Sequence, residues 1–72
     1  MQNVTPGATY GRYCIGQHEL TSGDVIEFAD DDRVLSGRIE HDGWRYIVVC
    51  GNGRRLPLGE LTQAKYVGSG QL

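Results

Sequence analysis

Side chains able to act as acid, base or nucleophile are few: His18 and His41 are the only histidines, and Cys14 and Cys50 the only thiols, in 72 residues. Group transfer without a metal needs a nucleophile and a base in mutual reach, with a third group orienting the base. Cys14 and His18 are close in sequence, but that says little about the geometry of a triad, and they read as a buried thiol and an exposed imidazole. His41 adjoins Asp42-Gly43 and reads as a surface hydrogen-bonding group. A zinc site would need convergent Cys and His pairs such as C-x-x-C, and the sequence has none. No catalytic residue, metal site or cofactor is expected, and the chain reads as a binding protein rather than an enzyme.

Two charged runs invite a ligand reading and resolve into turns. Glu27, Asp30, Asp31 and Asp32 lack the glycine and the spaced final carboxylate of a calcium loop, so they read as a solvated hairpin tip. Gly51-Asn52-Gly53-Arg54-Arg55 offers glycine amides beside arginines, which can hold an anion. It lacks the lysine-hydroxyl ending of a phosphate loop and reads as a turn with two exposed arginines. What is left is a mixture of guanidinium and aromatic side chains, the residue types that dominate protein contacts because they bring large area with few unpaired polar atoms. Arg38, Trp44, Arg45, Tyr46, Arg54 and Arg55 form the candidate contact surface, with Arg12 a further member of the mixture. Because Trp44 and Tyr46 alternate with Arg45, the pattern favours a core place for Trp44.

These residues must be carried by one small domain. The length leaves no room for a second core, and such a core supplies only about 3–5 kcal/mol of net stability. A net charge of −2 disfavours a sequence-independent grip on phosphates. Eleven glycines against two prolines point to many tight turns. The N-terminal residues Met1–Pro6 show neither the basic nor the apolar run of a signal peptide, and no later stretch reaches spanning length. A soluble cytoplasmic protein is expected, with Cys14 and Cys50 reduced and structural, a disulfide between neighbouring strands being the competitor.

Residues 1–9 lack periodicity and read as a flexible lead-in, residues 10–67 as the domain, and residues 68–72 as a flexible tail. A short strand around Tyr13 and Ile15 precedes a dense turn signal at Glu19–Asp24. Val25–Ala29, with Ile26 and Phe28 on one face, and Val34–His41, with Leu35 and Ile39 on one face, predict a hairpin across Asp30–Arg33. Asp42-Gly43 predicts a two-residue hairpin loop into a central strand, Trp44–Cys50. Pro57 confines Arg54–Leu58 to an edge or a bend, and Gly59–Val67 reads as a helical or 3₁₀ turn leading into a closing strand. Five or six short strands predict a mostly β fold, a small antiparallel SH3-like barrel, since closure removes the edges on which small sheets aggregate.

Gly11-Arg12-Tyr13, the run Glu19–Glu27 and Ser36–Glu40 together resemble the pattern of a family of small bacterial and mobile-element proteins, domain of unknown function 5348. The run Glu19-Leu20-Thr21-Ser22-Gly23-Asp24, followed after one residue by Ile26-Glu27, is its most specific part. The resemblance implies a compact β fold in a phage, plasmid or prophage setting and carries no activity or site residues. The expected function is a non-enzymatic, protein-binding module, an inhibitor of a bacterial defence system being one form of it. The alternatives are a small nucleic-acid-binding barrel and a binder of a small anionic nucleotide ligand. Self-association through an edge strand stays open.

Overall fold

The computed structural model describes residues 1–69. Its elements are β1 (Gln2–Pro6), β2 (Tyr13–Ile15), β3 (His18–Glu19), β4 (Asp24–Asp30), β5 (Arg33–His41), β6 (Tyr46–Cys50), β7 (Arg55–Pro57), a 3₁₀ turn at Leu58–Glu60, and β8 (Gln63–Ser69). All pairings are antiparallel, in one sheet of order β3-β2-β1-β8-β4-β5-β6-β7. The mostly β class is as expected, but the described residues form eight strands where five or six were predicted. The expected barrel closure is also corrected, because among the described residues no pairing joins the two ends of this sheet. β3 has only two residues, and β7 ends in Pro57, which has no N–H to give to a further strand.

Order begins at Gln2 rather than near Tyr10. β1 fills the space between β2 and β8, with Val4 opposite Ile15 and Gln2 opposite Ala64. The Val4 N–H donates to the Thr62 carbonyl at 2.8 Å, and the Val4 side chain packs on the core. One apolar residue among polar neighbours leaves no alternation in the sequence, so this strand is held by its two partners and not by propensity. At the other end, Gly68 and Ser69 pair with β4 and are part of β8, while the rest of the expected tail, Gly70-Gln71-Leu72, lies outside the described residues.

The core lies on one face of the sheet. Phe28, Leu20, Ile26, Ile39, Leu58 and Val48 are its largest fully buried side chains. Across the ladder they align in rows, Ile39 opposite Val48 opposite Leu56, and Phe28 opposite Leu35. Each fully buried aliphatic or aromatic side chain contributes about 1.5–3 kcal/mol relative to exposure, so a few rows determine whether the chain folds.

The two central hairpins reverse the expected turn lengths. Asp30 pairs with Arg33 across a two-residue loop, with Asp31 in the left-handed region at φ 56°, a conformation that Asp tolerates. Asp42-Gly43, expected to form such a loop, opens a four-residue one: the last pair is His41 with Tyr46, and β6 starts at Tyr46 rather than at Trp44. The Asp42 carboxylate explains the change. Its Oδ1 accepts the Trp44 and Arg45 N–H groups, each at 2.8 Å, so those amides bond to a side chain instead of a ladder.

Candidate functional site

Side chains alternate along β6, with Tyr46, Val48 and Cys50 directed to the core side and Ile47 and Val49 to the other. Register extends that second face across three strands. Arg38, Val49 and Arg55 form one row, and Glu40, Ile47 and Pro57 the next. Ile47 is only 6% exposed although it stands outside the core cluster, so its outer-face neighbours cover it. Beside it lies a depression of about 170 Å³ lined by Asp42, Arg45, Ile47, Arg55, Leu56 and Pro57. A wider one of about 420 Å³ is lined by Val25, Arg38, Glu40 and Val49 among others.

The loop at the end of this face presents Trp44. Its backbone is pinned by the Asp42 side chain and by the Asp42 N–H, which donates to the Arg45 carbonyl at 3.1 Å. Gly43 sits at φ 92°, where a side chain would be strained. The Arg45 amide, then the Trp44 amide, holds the Asp42 carboxyl below the usual carboxylate range. On this fixed frame Trp44 is 86% exposed. The expectation of a core tryptophan is thereby corrected: the four-residue loop takes Trp44 out of the ladder before it can alternate inward.

The candidate contact residues separate by position. Arg45 and Arg55 line one depression, and Trp44 precedes Arg45 in the loop. Arg38 shares the row of Arg55, but its Nε lies 2.9 Å from Glu40 Oε2 and its charge is matched. Arg54 sits at the opposite end of β6 and is paired with Asp30. Tyr46 belongs to the core side, half-buried, with its hydroxyl 3.0 Å from Arg12 Nη2.

Arg12 is the residue whose role sequence reasoning missed. Its guanidinium donates to Glu19 Oε1 at 3.1 Å and lies 5.5 Å from the centre of the Tyr46 ring. The Glu19 hydrogen bond, then Tyr46, raises its pKa above the ordinary arginine value. His41 meets the same ring edge-on at 4.7 Å. Arg12 thus ties the β1–β2 loop, which carries the fully exposed Tyr10, to the start of β6. Tyr10 stands directly before Gly11 in a polar turn, a placement that signals an exposed loop aromatic.

The remaining reactive groups are engaged in structure. His18 Nε2 lies 3.1 Å from Oδ2 of Asp24, the one buried charged residue among those described, and its ring packs on Tyr66 at 3.8 Å. The Thr21 N–H donates to that same Asp24 oxygen. His41 Nδ1 accepts the Gly43 N–H. Both cysteines are free; Cys14 is half-buried and Cys50 is buried, and burial pushes the Cys50 thiol up. Among the described residues no three His, Cys, Asp or Glu side chains converge as metal ligands, and no helix is long and apolar enough to cross a membrane.

Comparison with known proteins adds one match. A family model described as a domain of unknown function fits residues 7–66, which takes in β2 to β7 and the whole candidate face. No curated protein and no solved structure matches the chain.

Proposed function

This chain belongs to the family described as Domain of unknown function (DUF5348), and from that premise we propose that it is a non-enzymatic protein-binding module. Its contact surface is the β5–β6 loop with the adjoining outer face of β6 and β7. The observation that carries this reading is Trp44, 86% exposed on a backbone held by three hydrogen bonds within its own loop. A large aromatic ring left in water on an ordered loop is what a partner covers with most gain, because the loop loses little further freedom on binding.

The resemblance supplies the rest of the proposal. We place the chain in the cytoplasm of a bacterium carrying a phage, plasmid or other mobile element, where it occupies a surface of a larger host complex such as a defence system. We read its sheet as an opened variant of an SH3-like barrel, a type of scaffold that docks extended segments across one face. A nucleic-acid reading is less well supported, because Arg38 and Arg54 are matched by Glu40 and Asp30 and net charge is −2.

The test is capture from a bacterial lysate on immobilised wild-type protein and on Trp44→Ala in parallel. The ring is exposed, so the substitution changes stability by no more than about 0.5 kcal/mol. Removing a hot-spot aromatic costs about 2 kcal/mol or more of binding, roughly 30-fold. A partner retained by wild type and lost from folded Trp44→Ala is expected. Equal capture by both proteins, or none above bare matrix, defeats the proposal.

A further inference from the structure

We infer that the outer face receives an acidic segment of a partner protein, with one carboxylate seated between Arg45 and Arg55 and an aliphatic neighbour lying over Pro57. This rests on the protein-binding reading above and specifies its partner.

Charge complementarity identifies the occupant. Among the described residues neither Arg45 nor Arg55 makes an ion pair, whereas Arg12, Arg38 and Arg54 each do. Of the carboxylates on that face, Glu40 is paired with Arg38, and Asp42, which lines the same depression, accepts the Arg45 and Trp44 amides and is within electrostatic reach of the Arg45 guanidinium. Two guanidiniums without a close ion pair, Arg55 and Arg45, the latter facing Asp42 only at longer range, therefore flank one apolar floor on a chain whose overall charge is negative. Guanidinium groups present planar forks of donors that match a carboxylate and hold it more strongly than neutral donors would.

Size decides between a side chain and a free ligand. The depression measures about 170 Å³, below the roughly 300–1,000 Å³ of sites that enclose a small molecule. A nucleotide would overhang it, while a single acidic side chain fits. Strand addition at the neighbouring edge is disfavoured, since β7 is three residues long and Pro57 donates no hydrogen bond. The contact is therefore made through side chains on the face and not through an added strand.

The test selects dodecapeptides from a randomised display library on the immobilised protein and titrates tryptophan-free hits in solution. Trp44 is the only tryptophan and reports binding to the wild type and the arginine variants by its own fluorescence, and calorimetry reads the Trp44→Ala variant. Expected are hits enriched in Asp or Glu beside an aliphatic residue, weakened about tenfold or more by Arg45→Gln, by Arg55→Gln, or by Glu→Gln in the peptide. Arg54→Gln, altered at the far end of β6, leaves binding unchanged.

Hits without acidic enrichment that still depend on Trp44 overturn the inference and leave the protein-binding reading standing. Hits indifferent to Trp44→Ala and to the arginine variants, or no hits above the naive library, overturn both. A short single-stranded oligonucleotide that binds this face with steep salt dependence, in place of acidic peptides, also overturns both. Concentration-dependent self-association abolished by Arg55→Gln or by Asp31→Asn/Asp32→Asn would make the occupant a second copy's hairpin tip and overturn the inference of a separate partner.

Discussion

Gly37 is the glycine at which an added methyl group would strike the core hardest, and replacing it with alanine gives a measurable consequence. It lies in β5 between Ile26 and Cys50, on the core side of the sheet. A methyl group there would come 2.2 Å from Val48 Cγ1 and 3.4 Å from Phe28 Cε1. Carbon atoms rest about 3.5–4.0 Å apart, so the first contact is short by at least about 1 Å. Val48 is fully buried and β-branched, which leaves its χ1 few alternatives. Overpacking of this kind costs about 1–3 kcal/mol. Alanine also restricts the unfolded chain, an opposing gain of about 0.4–1 kcal/mol, and the steric effect is the larger. In a fold worth only about 3–5 kcal/mol, a net loss of about 1–2 kcal/mol lowers Tm by roughly 4–16 °C. Thermal unfolding followed by circular dichroism reads this directly. A double-mutant cycle with Val48→Ala, in sulfate to keep every variant folded, isolates the cause. Without Cγ1 the added methyl fills space and Gly37→Ala becomes neutral or stabilising, a coupling of about 1 kcal/mol or more. An unchanged or higher Tm for Gly37→Ala alone, or strict additivity in the cycle, refutes the steric argument.

Acidification should loosen the Trp44 loop before it unfolds the sheet. The Asp42 carboxyl titrates lower in the folded state than in the unfolded chain, so its contribution is complete above the ordinary carboxylate range and is lost as pH falls below that range through the folded value. Amide shifts of Trp44 and Arg45 should move together in that acid window, and Asp42→Asn should keep the loop while abolishing the titration; movement at or above the ordinary aspartate range contradicts this. Burial pushes the Cys50 thiol up, so iodoacetamide at pH 8 should label Cys50 at least about tenfold more slowly in the folded than in the urea-unfolded protein. Peptide mass spectrometry reads both rates, and equal rates refute the burial argument.

Long alternating segments were legible because their side-chain pattern and their burial have a single cause. Ile26 and Phe28 in β4, and Ile39 in β5, sit in the core as their period of two requires, and Pro57 lies on a terminal strand because it cannot donate. Segments held by tertiary partners were not legible. Gln2–Pro6 carries one apolar residue and becomes a strand only because β2 and β8 leave an unfilled ladder between them. β3 is two residues long, too short for any periodic signal. The candidate site was legible as a set of residue types, arginine with aromatic, but not as a position. Ion pairs between distant residues, Arg54 with Asp30 and Arg12 with Glu19, decide which guanidiniums remain available, and no local pattern encodes them.

The β5–β6 loop links both outcomes through one carboxylate. Had the chain turned on Asp42-Gly43 alone, His41 would pair with Trp44 and Ile39 with Tyr46, setting a polar-tipped ring in the central core row. In the observed register Ile39 meets Val48, which meets Leu56, and the row is entirely aliphatic. The same shift sets Arg38, Val49 and Arg55 side by side on the outer face. It also leaves Trp44 outside the ladder, where the Asp42 oxygen holds its amide at 2.8 Å. A better-packed interior and an exposed indole are thus two results of a single turn, and any substitution that shortens that loop should bury Trp44 and disturb the core row together.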